Sequence, residues 1–246
     1  MSQEIRSPSR LPCAAAIVFA MPIEADGFAS LARESVDFQA AGVTIHEGLV
    51  ADRRVAWCVG GAGSVAAARA TRLLVDGHRP AVVITAGFAG GLDPALPRGA
   101  VVRPRRAVSR ATGPTIELTA GQGETGDLTI VSVDRVVTTA AAKRDLETAT
   151  GASLVDMETY AVAAAARDAG LPCAAVRVIS DDASQDLPRE IASLVQPQSG
   201  MRRLGAALGA IGRRPRAALD MWQLWEHAVV DGRTLANTLE DVVRRL

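Results

Sequence analysis

A chain of 246 residues carries 27 basic and 27 acidic side chains, and 48% of it is hydrophobic. That length suits one large domain with a substantial core, and the cancelling charges exclude a global field that would recruit nucleic acid, leaving any anionic partner to a local patch. No apolar run approaches the roughly 20 residues of a membrane-spanning helix.

Residues 1–12 read as a flexible polar tail. Arg6 and Arg10 ahead of LPCAAAIVFAM imitate the start of a secretory signal, but the run flows into MPIEADGF with no small-residue cleavage site, so it reads as a first strand over Cys13–Ala20. Pro22–Arg33 follows as a helix, and Val43–Val50 with Arg54–Val59 forms a hairpin turned by ADRR. Ser64–Gly77 is Ala-rich and helical, Ala81–Ala86 is a short buried strand, and Ser109–Gly126, rich in Thr and Gly, is a long loop. Strands at Leu128–Val133, Ser153–Asp156 and Cys173–Ile179 alternate with helices at Thr139–Thr150 and Met157–Ala169. Apolar runs alternating with helical segments predict an α/β fold: a single domain over 13–200 with a mixed, mostly parallel twisted sheet flanked by helices, and a helical C-terminal extension over 201–246 packed on or beside it. Cys13, Cys58 and Cys173 each lie inside apolar runs with no ligand-like spacing to one another or to His46, His78 and His227, which reads as buried thiols of a cytoplasmic protein with no metal.

In an open parallel sheet ligands bind beyond the carboxyl ends of the strands. The residues there are Met21-Pro22-Ile23-Glu24, Gly60-Gly61-Ala62-Gly63-Ser64, Gly87-Phe88-Ala89-Gly90-Gly91, Asp134, Asp156-Met157-Glu158 and Ser180-Asp181, so glycines and carboxylates share one edge. Gly61 to Ala66 fits G-x-G-x-x-A, which raises a nicotinamide-dinucleotide enzyme as an alternative, yet the acid expected about 20 residues on is replaced by Thr85-Ala86-Gly87. The same turn can hold a phosphate or a ribose on its backbone N–H groups, or merely let helix and strand pack closely. Glu24 and Glu158, in the first turns of helices, can also be read as groups that favour the helix dipole. Bringing Glu158 and Asp181 to the ends of neighbouring strands would let two carboxylates divide acid and base roles.

The segments AMPIE, TAGFAGGLDPAL with RGAVV, VDMETYAVA and VRVISDDA resemble the nucleoside phosphorylase and nucleosidase superfamily over about residues 13 to 187. That superfamily includes purine nucleoside phosphorylases and the methylthioadenosine/S-adenosylhomocysteine nucleosidases, which the chain resembles, and VDRVVTTAAAKRDLETATGASLVDMET with the helical, arginine-bearing C-terminal extension is also similar to the hopanoid-associated branch, which removes adenine from adenosylhopane. The resemblance implies an enzyme that cleaves the N-glycosidic bond of a purine nucleoside, a 5′-substituted adenosine of the methylthioadenosine or adenosylhopane kind, releasing adenine in a homodimer without a cofactor. It implies Asp181 as the general acid, Ser180 as its placing group and Glu24 as the carboxylate that orients the attacking water. Glu158 would hold the ribose hydroxyls, Met157 would pack on the sugar, and Gly63, Gly87, Phe88, Ala89, Val136 and Val137 would complete the substrate site. A leaving purine needs a proton, and an oxocarbenium-like sugar needs negative charge and a nucleophile nearby.

Two positions depart from the family pattern. Phe88 stands where many members carry Ser or Thr, and Val136-Val137 stands where an aromatic usually stacks on the base. Phosphorylases cradle phosphate with arginines, and none follows the first strand, where Glu24 takes the nearby slot. Hydrolysis is therefore preferred, with a phosphorylase using phosphate as co-substrate as the alternative. A non-catalytic nucleoside-binding protein would be expected to lose one of the three acids, and all three are present. Five arginines without an acid between Met201 and Leu219, followed by Trp222 and Trp225, suggest an apolar and basic lip over 201–230 for a lipophilic 5′ group or a peripheral membrane contact, against the plainer reading of a packed helix.

Overall fold

The computed structural model describes residues 12–111, 113–119, 126–187 and 215–246, the last stretch with side chains from residue 226 onward. The first strand, β1 (Ala15–Phe19), is buried along its whole length because it pairs in parallel on both sides, with β4 (Arg53–Val59) and β5 (Val82–Gly91). Two covered faces explain the unbroken apolar run AAIVF. Ala15, Ile17 and Phe19 face one layer, while Ala16 and Val18 face the other.

The first layer holds α1 (Pro22–Ala29) and the C-terminal helix α5 (Pro215–Arg244), which contribute Ala25 and Phe28, and Leu235, Ala236, Leu239 and Val243. Burying each large apolar side chain of this set stabilises the fold by roughly 1.5–3 kcal/mol. Phe28 also meets Trp57 edge to face at 5.7 Å. Where α1 and α5 meet, Gly27 and Gly232 bring the backbones together, and a Cβ on Gly232 would fall 2.7 Å from the Ile23 carbonyl oxygen. The second layer holds α2 (Ser64–His78) and α4 (Thr159–Asp168), with Ala67, Ala70 and Leu74 packed near Val162, Ala163 and Ala166. The boundary expected at residue 200 lies in 188–214, outside the described residues, while the C-terminal half of α5 belongs to the same core as β1.

The sheet runs β2-β3-β4-β1-β5-β10-β9-β7-β8, with β11 (Cys173–Asp181) on β5 and β6 (Val101–Val102) on β11. β5 pairs in parallel with β1 and β11 but antiparallel with β10, and the margins are antiparallel: β2 (Arg33–Ala40) with β3 (Val43–Val50) and β4 at one end, β7 (Arg106–Ser109) with β8 (Ile116–Glu117) at the other. β7 and β10 (Leu154–Asp156) pair in parallel with β9 (Thr129–Ser132), and α3 (Ala140–Thr150) links β9 to β10.

Four sequence expectations need correction. The first helix stops at Ala29 rather than Arg33, because Val36, Phe38 and Ala40 alternate with exposed residues in the period of two that suits an edge strand. Part of the expected 109–126 loop is strand, since Ile116 pairs with Ala107. Gly87-Phe88-Ala89-Gly90-Gly91 is not a turn after the fourth strand but the end of it: β11 pairs with β5 as far as Gly90, and β10 holds Gly90 and Gly91 from its own side. Finally, β10 and β11 are not neighbours. Each pairs with β5, so Glu158 and Asp181 reach the same edge from strands that β5 connects.

Candidate active site

Glu24 enters the edge from the first turn of α1. Pro22 starts the helix with the φ it needs and without an N–H to satisfy, and Glu24 Oε2 reaches back to accept from the N–H groups of Ala20 at 3.0 Å and Met21 at 2.8 Å. Helix capping accounts for those two bonds. It does not account for Oε1, which accepts from the Phe88 N–H across the sheet at 2.9 Å, nor for a carboxylate only 2% exposed. Burial pushes the Glu24 carboxyl above its ordinary range, opposed by the Phe88 N–H and by the charge of Arg177. Gly87 makes room for it, since a Cβ there would sit 2.5 Å from Glu24 Oε1.

Glu158 comes from the turn between β10 and α4. Its Oε1 accepts from the Gly63 N–H at 2.7 Å. Gly61 and Gly63 adopt φ of 96° and 95°, so the turn ahead of α2 needs glycine at both. The N–H that a dinucleotide or phosphate would use at Gly63 is thus directed at a side chain of the protein. Burial first, and the nearby charge of Asp156 second, push Glu158 up to about 7.

Between the two glutamates lies Arg177, buried in the middle of β11. Its Nη2 donates to Asp156 Oδ2 at 2.9 Å, Thr85 Oγ1 at 2.6 Å and Thr159 Oγ1 at 2.7 Å. Asp156 also accepts from Ser132 Oγ at 2.6 Å and the Thr159 N–H at 2.9 Å, so its carboxylate belongs to the framework beneath the site. A small cleft beside this network is lined among others by Glu24, Thr85, Gly87, Phe88, Glu158 and Arg177.

Asp181 does not line that cleft. It stands at the end of β11, just past an irregularity in the pairing between Ile179 and Asp181, and its Oδ1 accepts from Ser180 Oγ at 2.6 Å. Consecutive residues of β5 tie the two parts together: the Phe88 N–H holds Glu24, the Ala89 carbonyl lies 3.3 Å from Ser180 Oγ, and Gly90 packs against the Asp181 carboxylate. Met157 and Val137 pack on the small cluster of Leu92, Val131 and Val155, and Val136 is half-buried. The expected lip over 201–230 falls outside the described residues as far as 214 and on undescribed side chains as far as 225. Among the described residues no cluster of His, Cys, Asp and Glu could hold a metal ion, and no helix is long and apolar enough to cross a membrane.

Arg177, Thr85 and Lys143 do not stand out as site residues in the sequence. Arg177 had a signal, a lone charge inside the apolar strand AAVRVIS, since an arginine is almost never fully buried unless paired. Lys143 had none, because AAAKRDL reads equally well as a solvated helix face.

Buried carboxylates gathered at one edge of a mixed α/β sheet, with a cleft between Glu24 and Glu158, form the kind of edge at which such sheets bind small polar molecules. A family model described as the phosphorylase superfamily matches residues 14–203, and the chain belongs to that superfamily. A 5′-methylthioadenosine/S-adenosylhomocysteine nucleosidase of Pseudoalteromonas translucida is 45% identical over 62 residues, 25% of this chain and 26% of the relative. Another of that name from Actinobacillus succinogenes is 36% identical over 86 residues, 35% of this chain and 37% of the relative. The chain therefore spans well under two thirds of the length of these curated relatives in the matched segments. In fold it is similar to the futalosine hydrolase of Helicobacter pylori, with a TM-score of 0.74 at 18% identity over 97% of this chain and 100% of that one. It is likewise similar to the S-adenosylhomocysteine nucleosidase of Streptococcus pyogenes in complex with 5-methylthiotubericidin, with a TM-score of 0.73 at 19% identity over 97% and 99%.

Proposed function

We propose that this chain hydrolyses the N-glycosidic bond of a purine nucleoside, an adenosine substituted at its 5′ position, and releases adenine. The observation that carries the reading is electrostatic. Glu24 and Glu158 line one cleft, and the cation beside them, Arg177, is already engaged by Asp156. Such a site attracts developing positive charge on a sugar and disfavours a phosphate dianion.

In the proposed reaction the bond between C1′ and the purine nitrogen breaks, and its electron pair passes to the ring. Asp181, held through Ser180, supplies the proton that the ring takes up. Water attacks C1′, and Glu24 orients it and accepts its proton. Glu158 binds the ribose hydroxyls, and Met157 packs on the sugar. No cofactor takes part. The names of the curated relatives support a thioether-bearing adenosine, while the composition of 201–230 supports a more lipophilic 5′ group such as that of adenosylhopane, or contact with an anionic membrane surface. The family resemblance supports a homodimer at work in the cytoplasm.

The test is adenine release from adenosine, methylthioadenosine and a lipophilic 5′-substituted adenosine, each with and without phosphate. Wild type is expected to release adenine without phosphate. Glu24→Gln and Asp181→Asn, both folded, are expected to be slower by about two to four orders of magnitude, the usual scale for removing a general acid or base. A folded Asp181→Asn variant with wild-type turnover would overturn the assignment of the acid.

A further inference from the structure

Lys143 lies on α3, fully buried, with Nζ 2.6 Å from Asp181 Oδ2. The same ammonium donates to the carbonyl oxygens of Asp182 and Gln185. The helix that carries it is fastened to the segment after β11. Thr139 caps its first turn by accepting from the Ala142 N–H at 3.2 Å, Asp186 Oδ1 accepts from the Ala140 N–H at 2.7 Å, and the Leu187 N–H donates to the Thr138 carbonyl at 2.8 Å. On the opposite side β5 leaves the carboxylate room: a Cβ on Gly90 would fall 3.2 Å from Asp181 Oδ2. Asp181 is thus gripped at both oxygens, by Ser180 on one and Lys143 on the other.

A buried ammonium is costly to desolvate, and an ion pair in the interior is often no more stabilising than apolar side chains of the same volume. Stability alone gives little reason for a lysine here. Orientation gives a better one, because proton transfer to a leaving group demands a carboxyl held within a few tenths of an ångström of its line of approach.

We propose that Lys143 is a positioning residue for proton delivery: by pairing with Oδ2 it leaves Oδ1, beside Ser180, as the oxygen that takes up the proton before catalysis while the Ser180 hydroxyl turns to the Ala89 carbonyl, and so aims that proton at the departing purine. This rests on the reading of Asp181 as the acid. Lys143 itself touches no reacting atom.

The test separates aim from packing through the leaving group. A purine must be protonated as it departs, whereas 4-nitrophenolate leaves unprotonated, so a 4-nitrophenyl riboside reports the rest of the site without the acid. Wild type, Lys143→Met and Asp181→Asn are assayed on methylthioadenosine and on the 4-nitrophenyl 5-methylthioriboside. Lys143→Gln, which keeps amide donors near the same carbonyls, carries the test should Lys143→Met not fold. The neutral variant is expected to lose about 10- to 100-fold in kcat on methylthioadenosine with KM little changed, the scale of losing the alignment of one catalytic group. On the nitrophenyl riboside it is expected to stay within about threefold of wild type. Equal losses on both substrates, or none on methylthioadenosine, would overturn the inference. Asp181→Asn distinguishes the two failures. If it shows the selective loss and the lysine variant does not, the inference alone is wrong; if it shows no loss on methylthioadenosine, the reading of Asp181 is wrong as well.

Discussion

Replacing Arg177 with methionine tests whether the buried network holds the two glutamates in place. The side chain donates through Nη2 to Asp156, Thr85 and Thr159, and Asp156 on its other side is 1% exposed. Methionine keeps most of the volume, so no large cavity forms, but Asp156 is left as an uncompensated buried charge. Breaking a buried pair in this way costs about 3–5 kcal/mol. For a chain of this size that corresponds to a fall in Tm of about 6–20 °C. The loss should also reach the site, since the charge of Arg177 opposes the upward push on both Glu24 and Glu158. Urea denaturation of Arg177→Met, Asp156→Asn and the double variant gives the coupling directly. The double variant is expected to be more stable than Arg177→Met by about 2 kcal/mol, because the orphaned charge is gone. An Arg177→Met variant within about 1 kcal/mol of wild type, the range of an exposed ion pair, would refute the reasoning.

Glu158, pushed up from its ordinary 4.5 to about 7, binds a proton in the folded state that the unfolded chain has already released, so its contribution lowers stability as pH rises through that window. The magnitude is at most about 3 kcal/mol. Glu158→Gln should flatten the pH dependence of urea stability between pH 5 and 8, and an unchanged slope would remove Glu158 as its source. The same variant should lose more activity on ribosides than on 2′-deoxyribosides, and equal losses would place its carboxylate away from the sugar. Gly87→Ala puts a methyl group 2.5 Å from Glu24 Oε1. It should displace the carboxylate from the Phe88 N–H, cost about 1–3 kcal/mol as overpacking, and reduce turnover of the folded variant at least tenfold; full activity would show that the position of Glu24 is not needed.

The central sheet was legible because its strands are short, apolar and separated by helical runs, and β3 matches its expected bounds from Val43 to Val50. The margins were not. The first helix reads as running to Arg33, nothing marks Glu34 to Ala40 as a strand until β3 supplies a partner, and the glycines after Ala86 read as a turn until β10 and β11 are seen to pair with them. Within the site, Glu24, Glu158 and Asp181 stood out as acids at strand ends, a local signal. Their supports did not. The contacts of Arg177 with Thr85 and Asp156, and of Lys143 with Asp181, join residues 92, 21 and 38 positions apart, by the differences of their numbers, and no local pattern encodes such a pairing.

In the proposed reaction water, not phosphate, takes the sugar from the purine beside Glu24. Turnover of methylthioadenosine in heavy-oxygen water containing phosphate, followed by mass spectrometry of the sugar product, tests it most directly. Hydrolysis gives free methylthioribose carrying one heavy oxygen at C1′, formed at a rate independent of phosphate. Methylthioribose 1-phosphate without the label, formed only when phosphate is present, would contradict it.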